Sequence, residues 1–198
     1  LYRGDFLLKW IKDIVEKKTN NPNITFAELK SNGYKDLKVF STDLTLGVVC
    51  EFSIEKTPNV IVAESIRASM SIPIFFNAWK FTNSQPNDHI YIDGGVLYNF
   101  PLSVYDPEKT LGFYLYSDKK KHKEKKELKY DHLLGYVDHL FQTILKAQEI
   151  GFLENDAQKS ITVIIDDYGI SATDFKIDAQ QKENLFNSGK SSTIAYFK

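Results

Sequence analysis

Apolar positions along this chain alternate between two periods. Phe6, Leu7, Leu8, Trp10, Ile11, Ile14 and Val15 recur at helical spacing, which predicts an amphipathic helix over residues 5 to 17. "TNNPN" (19–23) breaks it, and Thr25 with Glu28 has the S/T-x-x-E form that opens a short second helix. The runs "LKVFSTDL" (37–44) and "GVVCEFS" (47–53) are β-branched and aromatic, and the short link between them predicts a strand pair. Residues 59–70, "NVIVAESIRASM", return to helical spacing, and Pro73 marks the end because the residue before a proline disfavours the α region. Residues 75 to 87 read as irregular. "HIYI" (89–92) is a further strand. "TLGFYLYS" (110–117) and "SITVII" (160–165) are so continuously apolar that both faces are expected to be buried. Between them Leu133, Val137, Leu140 and Ile144 form one stripe of a long helix, and a last helix covers 179–197. Strands separated by helices predict an α/β fold with a mostly parallel sheet.

Composition narrows this little. A chain of 198 residues with 42% hydrophobic and 26% charged content suits one globular domain. The net charge of −1 gives no general attraction to nucleic acid, and no nucleic-acid partner is expected. Cys50 is the only cysteine, so no internal disulfide forms. No stretch reads as a signal peptide or a spanning helix, and localisation stays open between cytoplasmic and exported. The chain begins at Leu1 and its only methionine is Met70, so it is expected to be a processed product or part of a longer protein. Residues 119–129 hold seven lysines and two glutamates, a solvated loop or a local patch for anionic headgroups and peripheral membrane contact.

Most candidate chemistry fails on spacing. Ser171 in "GISAT" and Ser191 in "GKSST" are each half of a nucleophile elbow, with threonine where the second glycine belongs. His132 and His139 share a helix face but lack the three- or four-residue spacing of paired ligands, so no metal site is expected. The stretch "YIDGGVLYNFPL" (91–102) stands apart. Its Asp93 is either part of a glycine turn, since glycine reaches positive φ without steric cost, or a catalytic carboxylate held on that turn.

Three segments together favour the second reading: "STDLTLG" (41–47), "ESIRASMSIPIFF" (64–76) and "YIDGGVLYNFPL". In this order and spacing they resemble the patatin-like phospholipase family, and the closing stretch from Ile164 resembles the end of that family's bacterial members. The resemblance implies a three-layer α/β/α fold with a mostly parallel central sheet, incomplete at the N-terminus. Residues 1–198 would be the C-terminal portion of a single catalytic domain. It implies a serine lipid acyl hydrolase acting on phospholipid or other acyl lipids through a Ser-Asp dyad, with no metal and no cofactor. On that resemblance Asp93 is the dyad aspartate, Gly94 and Gly95 shape its turn, and Asn99 with Pro101 completes the motif.

The resemblance also defines what these residues do not carry. The family's glycine-rich oxyanion loop and its G-x-S-x-G elbow are not found, and no nucleophile is expected within the chain. Residues 1–198 alone are expected to be inactive and poorly folded. Burial would raise the pKa of Asp93 and strengthen it as a base, with Ile90, Ile92, Val96, Leu97 and Phe100 as the expected apolar neighbours. Two other functions share these features: a non-catalytic interaction module that keeps Asp-Gly-Gly as a turn, and an acyltransferase that uses the same dyad. Exposed Trp79 and Phe81 would help meet a lipid surface.

Overall fold

A computed structural model describes residues 1–82, 88–116, 133–172 and 174–198. The lysine-rich stretch, His122 and His132 lie outside the described residues. The chain forms two compact units, one of residues 1–99 with 132–146 and one of residues 100–131 with 147–198.

In the first unit, helix α1 (Asp5–Thr19) precedes α2 (Phe26–Ser31), which opens with a complete capping box. Thr25 Oγ1 accepts from the Glu28 N–H, and a Glu28 carboxylate oxygen accepts from the Thr25 N–H. Strands β1 (Val39–Asp43) and β2 (Val48–Phe52) form the expected pair, and β3 (Tyr91–Asp93) joins the other side of β1. Both partners run antiparallel to β1, and for β2 the four-residue link is too short for a parallel crossover. Helix α3 (Val62–Ser69) is shorter than its apolar run: residues 59 and 60 form a turn and a bend, and Ile61 is bridged to Thr25. The core gathers Ile11 and Val15 of α1, Phe26 of α2, Phe52 of β2, Val62, Ala63 and Ala68 of α3, and Tyr91 of β3.

Trp79 and Phe81 are not surface aromatics. Phe81 is fully buried, with its ring 5.3 Å from Phe52 and 5.2 Å from Tyr91, and Trp79 packs edge-on against it. The Trp79 backbone also pairs with Tyr91 in both directions, at 2.8 and 2.9 Å. An irregular segment thus acts as an extra edge for β3, and its aromatics complete the core instead of meeting lipid. Short helix α4 (Gly95–Tyr98) leaves β3 directly and lies against β1, where the Tyr98 and Phe40 rings meet at 5.7 Å.

In the second unit, β4 (Gly112–Tyr116) and β5 (Thr162–Asp166) pair in parallel. Helix α6 (Asp156–Ser160) leads into β5, and α7 (Ala179–Tyr196) packs on β5 behind an Asp178–Gln181 capping box. Phe100, Tyr114 and Phe152 stack with centroids 4.4 to 5.2 Å apart. Burial on both strand faces does not hold here. Val163 is buried, but Phe113 and Leu115 are 54% and 63% exposed, since α7 covers β5 and leaves the neighbouring face of β4 open.

Helix α5 (Leu133–Leu153) contributes to both units, its residues up to Lys146 to the first and the rest to the second. Among its described side chains Phe141 and Phe152 are buried, and Leu133, Leu140 and Ile144 of the expected stripe are exposed. No helix among the described residues is long and apolar enough to cross a membrane.

Candidate active site

Asp93 is the last residue of β3, opposite Ser41 in the antiparallel register. Side chains alternate along a strand, so Asp93 shares a face with Tyr91, and Tyr91 points into the aromatic core. The pleat therefore draws the carboxyl inward. Ile92 points to the opposite face, and Leu97 is exposed, so neither is the lining that the sequence suggested. Phe100 packs with Tyr114 and Phe152 in the second unit.

The turn after Asp93 is helical. Gly94 has φ −65° and ψ −29°, ordinary right-handed values, so positive φ is not what this position requires. The requirement is close approach. A Cβ on Gly94 would collide with the Phe40 carbonyl of β1, standing 2.8 Å from its carbon. A Cβ on Gly95 would lie 2.9 Å from Asp93 Oδ1 and 2.9 Å from Asn99 Oδ1, with Leu145 of α5 close behind at 3.5 Å. The two glycines bring the helix start against β1 and against the carboxylate itself. Asn99 closes α4 on that side, and Pro101 opens a short 3-10 turn (Leu102–Val104) of the second unit.

Asp93 Oδ1 accepts from the Gly95 N–H at 2.8 Å, and Oδ2 takes no hydrogen bond from the described residues. Burial pushes the carboxyl pKa up to about 6, with the Gly95 N–H pulling the other way. A carboxyl whose pKa is raised on folding binds its proton more tightly in the folded state. The stability this contributes is present below about pH 4 and lost as pH rises through about 6. A shift of about two units corresponds to about 3 kcal/mol. Thermal melts of the full-length protein should therefore show Asp93→Asn more stable than wild type at about pH 8, by up to about 3 kcal/mol, and equal to it near pH 4. Equal melting at both pH values would mean that the carboxyl is not desolvated.

Two serines beside this strand end, Ser41 and Ser71, are occupied. Ser41 is buried and donates to the Ile92 carbonyl at 2.6 Å. Ser71 Oγ donates to the Arg67 carbonyl at 3.0 Å. Ser191 sits within α7 and donates to the Ser188 carbonyl, which is helix geometry and no elbow. Burial, Asp43 and Glu51 push the Cys50 thiol up to about 11, so it is not a thiolate nucleophile.

Two arrangements escaped the sequence reading. His89 Nδ1 lies 2.6 Å from Asp43 Oδ2, while Asp43 Oδ1 accepts from the Thr45 and Leu46 N–H groups. This ties the β1–β2 turn to the start of β3 and so fixes the register that carries Asp93. The "STDLTLG" segment held the signal, but its partner lies 46 residues away. The other is a concavity of about 440 Å³ at the starts of α2 and α3, lined by Asn21, Asn23, Thr25, Asn59, Ile61 and two carboxylates, Glu28 and Glu64.

Residues 1–106 match the model of the patatin-like phospholipase family. The chain is 28% identical to the uncharacterized protein R571 of Acanthamoeba polyphaga mimivirus, over 96% of this chain and 62% of that one. It is 28% identical to the uncharacterized protein YqhO of Bacillus subtilis (strain 168), over 100% of this chain and 67% of that one. The probable lipid hydrolase 463L of Invertebrate iridescent virus 6 is 31% identical over 52% of this chain and 34% of that one. The chain thus spans about two thirds of the length of the first two of these relatives. The crystal structure of VipD from Legionella pneumophila shares the fold, with a TM-score of 0.54 and 16% identity over 89% of this chain and 36% of VipD. With its matched region covering more than half of its residues, this mixed α/β chain belongs to the patatin-like phospholipase family.

Proposed function

We propose that the protein is a lipid acyl hydrolase that cleaves carboxylic esters of phospholipids in a phospholipase A-type reaction. Asp93 is its general base. One observation carries this reading: a carboxyl drawn inward on a glycine-built helix start, tuned to about 6 by burial, with Oδ2 accepting no hydrogen bond among the described residues. A base works best when its pKa lies near the working pH, and such a carboxylate is a much better proton acceptor than one near 4.

In this reading Asp93 takes the proton of a serine hydroxyl as the serine oxygen attacks the ester carbonyl. The proton then passes to the departing lysolipid oxygen, leaving an acyl-serine. Water attacks the acyl group, gives its proton to Asp93, and the serine is restored on release of the fatty acid. The chemistry needs neither metal nor cofactor. The serine and the backbone donors for the oxyanion are supplied by sequence outside residues 1–198, which form the C-terminal portion of the catalytic domain. Relatives longer than this chain and the open apolar face of β4 support that division.

The test is acyl release from phosphatidylcholine and phosphatidylglycerol vesicles by the full-length protein in chelator, with and without an added alcohol. Free fatty acid in both cases is expected. Acyl transfer to the alcohol in preference to water would identify an acyltransferase. A folded full-length protein that releases no acyl group from any lipid would overturn the hydrolase in favour of an interaction module.

A further inference from the structure

Arg67 is fully buried in α3, yet no carboxylate of the described residues pairs with it. Burial pulls its pKa down, and only the more distant Asp5 favours the charge. Burying a cation without a counter-ion is costly, so its contacts must return that cost in some form. Those contacts are specific. Nη1 donates to Ser71 Oγ at 2.6 Å, and Nη2 donates to the carbonyls of Arg3 at 2.9 Å and Asn77 at 3.2 Å. The guanidinium carbon lies 5.4 Å from the Phe76 ring centroid and 5.6 Å from that of Trp79. Gly4 makes room for the group, since a Cβ there would fall 2.6 Å from its carbon. Nε finds no acceptor among the described residues.

The segments that Arg67 holds are the ones that hold Asp93. The Ser71 carbonyl accepts the Asp93 N–H at 3.0 Å, and the Ser69 carbonyl accepts the Gly94 N–H at 3.4 Å. On the other side, the segment running on from Asn77 pairs through Trp79 with Tyr91, two residues before Asp93. Between these supports the chain must double back through Ile74, a β-branched residue at φ 73°, a conformation that is unfavourable for it. A planar fork with several donors can bind both arms of that reversal at once; a lysine, with a compact ammonium, cannot reproduce the fork.

We propose that Arg67 is a positioning residue for the general base: by clamping Ser71 and Asn77 it fixes the two flanks of the strand end that carries Asp93. The proposal rests on the role given to Asp93 above. Arg67 does not act through its charge, since burial and the Gly95 N–H alone account for the shifted ionisation of Asp93. It acts through backbone geometry, which sets how far the carboxyl is held from water. Displacing a catalytic group by about 1 Å costs up to ~10²-fold in rate.

The experiment uses the full-length protein and reads Asp93 without relying on activity. The pH midpoint of the stability gap between wild type and Asp93→Asn reports the ionisation of Asp93, and it is measured with Arg67 intact and in Arg67→Lys. The midpoint should fall from about 6 towards the ordinary 3.8 in the lysine background, with kcat down by about tenfold or more and KM nearly unchanged. A folded Arg67→Lys protein with midpoint and kcat unchanged would overturn the proposal, leaving Arg67 as packing for the N-terminal segment. If Arg67→Lys does not fold, Ser71→Ala keeps the carbonyl that holds Asp93 and removes only the link to Nη1. It should shift the midpoint in the same direction by less, and an unmoved midpoint there overturns the proposal equally. A shifted midpoint in a protein whose wild type releases no acyl group would sink the hydrolase reading and leave the positioning role standing.

Discussion

Asp93→Asn in the full-length protein should lower kcat for acyl release by ~10²–10⁴-fold, the range expected for loss of a positioned general base. The substitution is nearly isosteric, and its amide oxygen can still accept the Gly95 N–H that now holds Oδ1 at 2.8 Å. What disappears is the capacity to take a proton. Circular dichroism and gel filtration should show the fold unchanged, and at about pH 8 the variant should be the more stable of the two, because it no longer carries a desolvated charge. Loss of activity with gain of stability separates a catalytic carboxylate from a structural one. A structural aspartate would show the reverse on stability.

The second large effect lies at the glycine pair, where the two positions should fail differently. Gly94→Ala would press a methyl into the Phe40 carbonyl, and a backbone group in a strand paired on both sides has no rotamer through which to yield. Overpacking of this kind costs about 1–3 kcal/mol, and the upper end is expected here. The loss should be visible as a lower melting temperature. Gly95→Ala meets side-chain oxygens of Asp93 and Asn99 instead of backbone. Those groups can rotate away, so the fold should survive while the carboxyl is displaced, and kcat should drop by up to ~10²-fold. Equal melting and equal activity in Gly95→Ala would mean that the carboxyl position seen here is not the one used in the reaction.

The parts of this fold that were legible in the sequence were the ones set by neighbours in the chain. The β1–β2 pair, the capping box at Thr25, and helices α1 and α7 followed from spacing over a few residues, which fixes local structure directly. The same local rules misplaced Trp79 and Phe81, because their burial depends on Phe52 and Tyr91, which reach them only once β3 has docked on β1. Asp-Gly by itself suggests positive φ, whereas Gly94 serves close approach, and the strand it meets lies far back in the sequence. Arg67 was visible only as part of a family-like block. Apart from Ser71 Oγ, its acceptors are backbone carbonyls 10 and 64 residues away, and a carbonyl leaves no mark in a sequence. Asp93 and the direction of its ionisation were legible, because the motif is local and apolar, but the residues around it were not: Leu97 is exposed and Phe100 packs with Tyr114 and Phe152, a placement that depends on strands distant in the sequence.

The most direct test follows kcat for phospholipid acyl release from about pH 4 to about pH 8, with full-length wild type and Asp93→Asn side by side in chelator. In this account the wild-type rate rises through a single ionisation near about 6 to a plateau, as Asp93 loses its proton and becomes a base. The variant lacks that limb and stays ~10²-fold or more below the plateau. A wild-type profile that is flat through this range, or a variant that keeps both the limb and the rate, would show that Asp93 is a turn residue and that another group carries the proton.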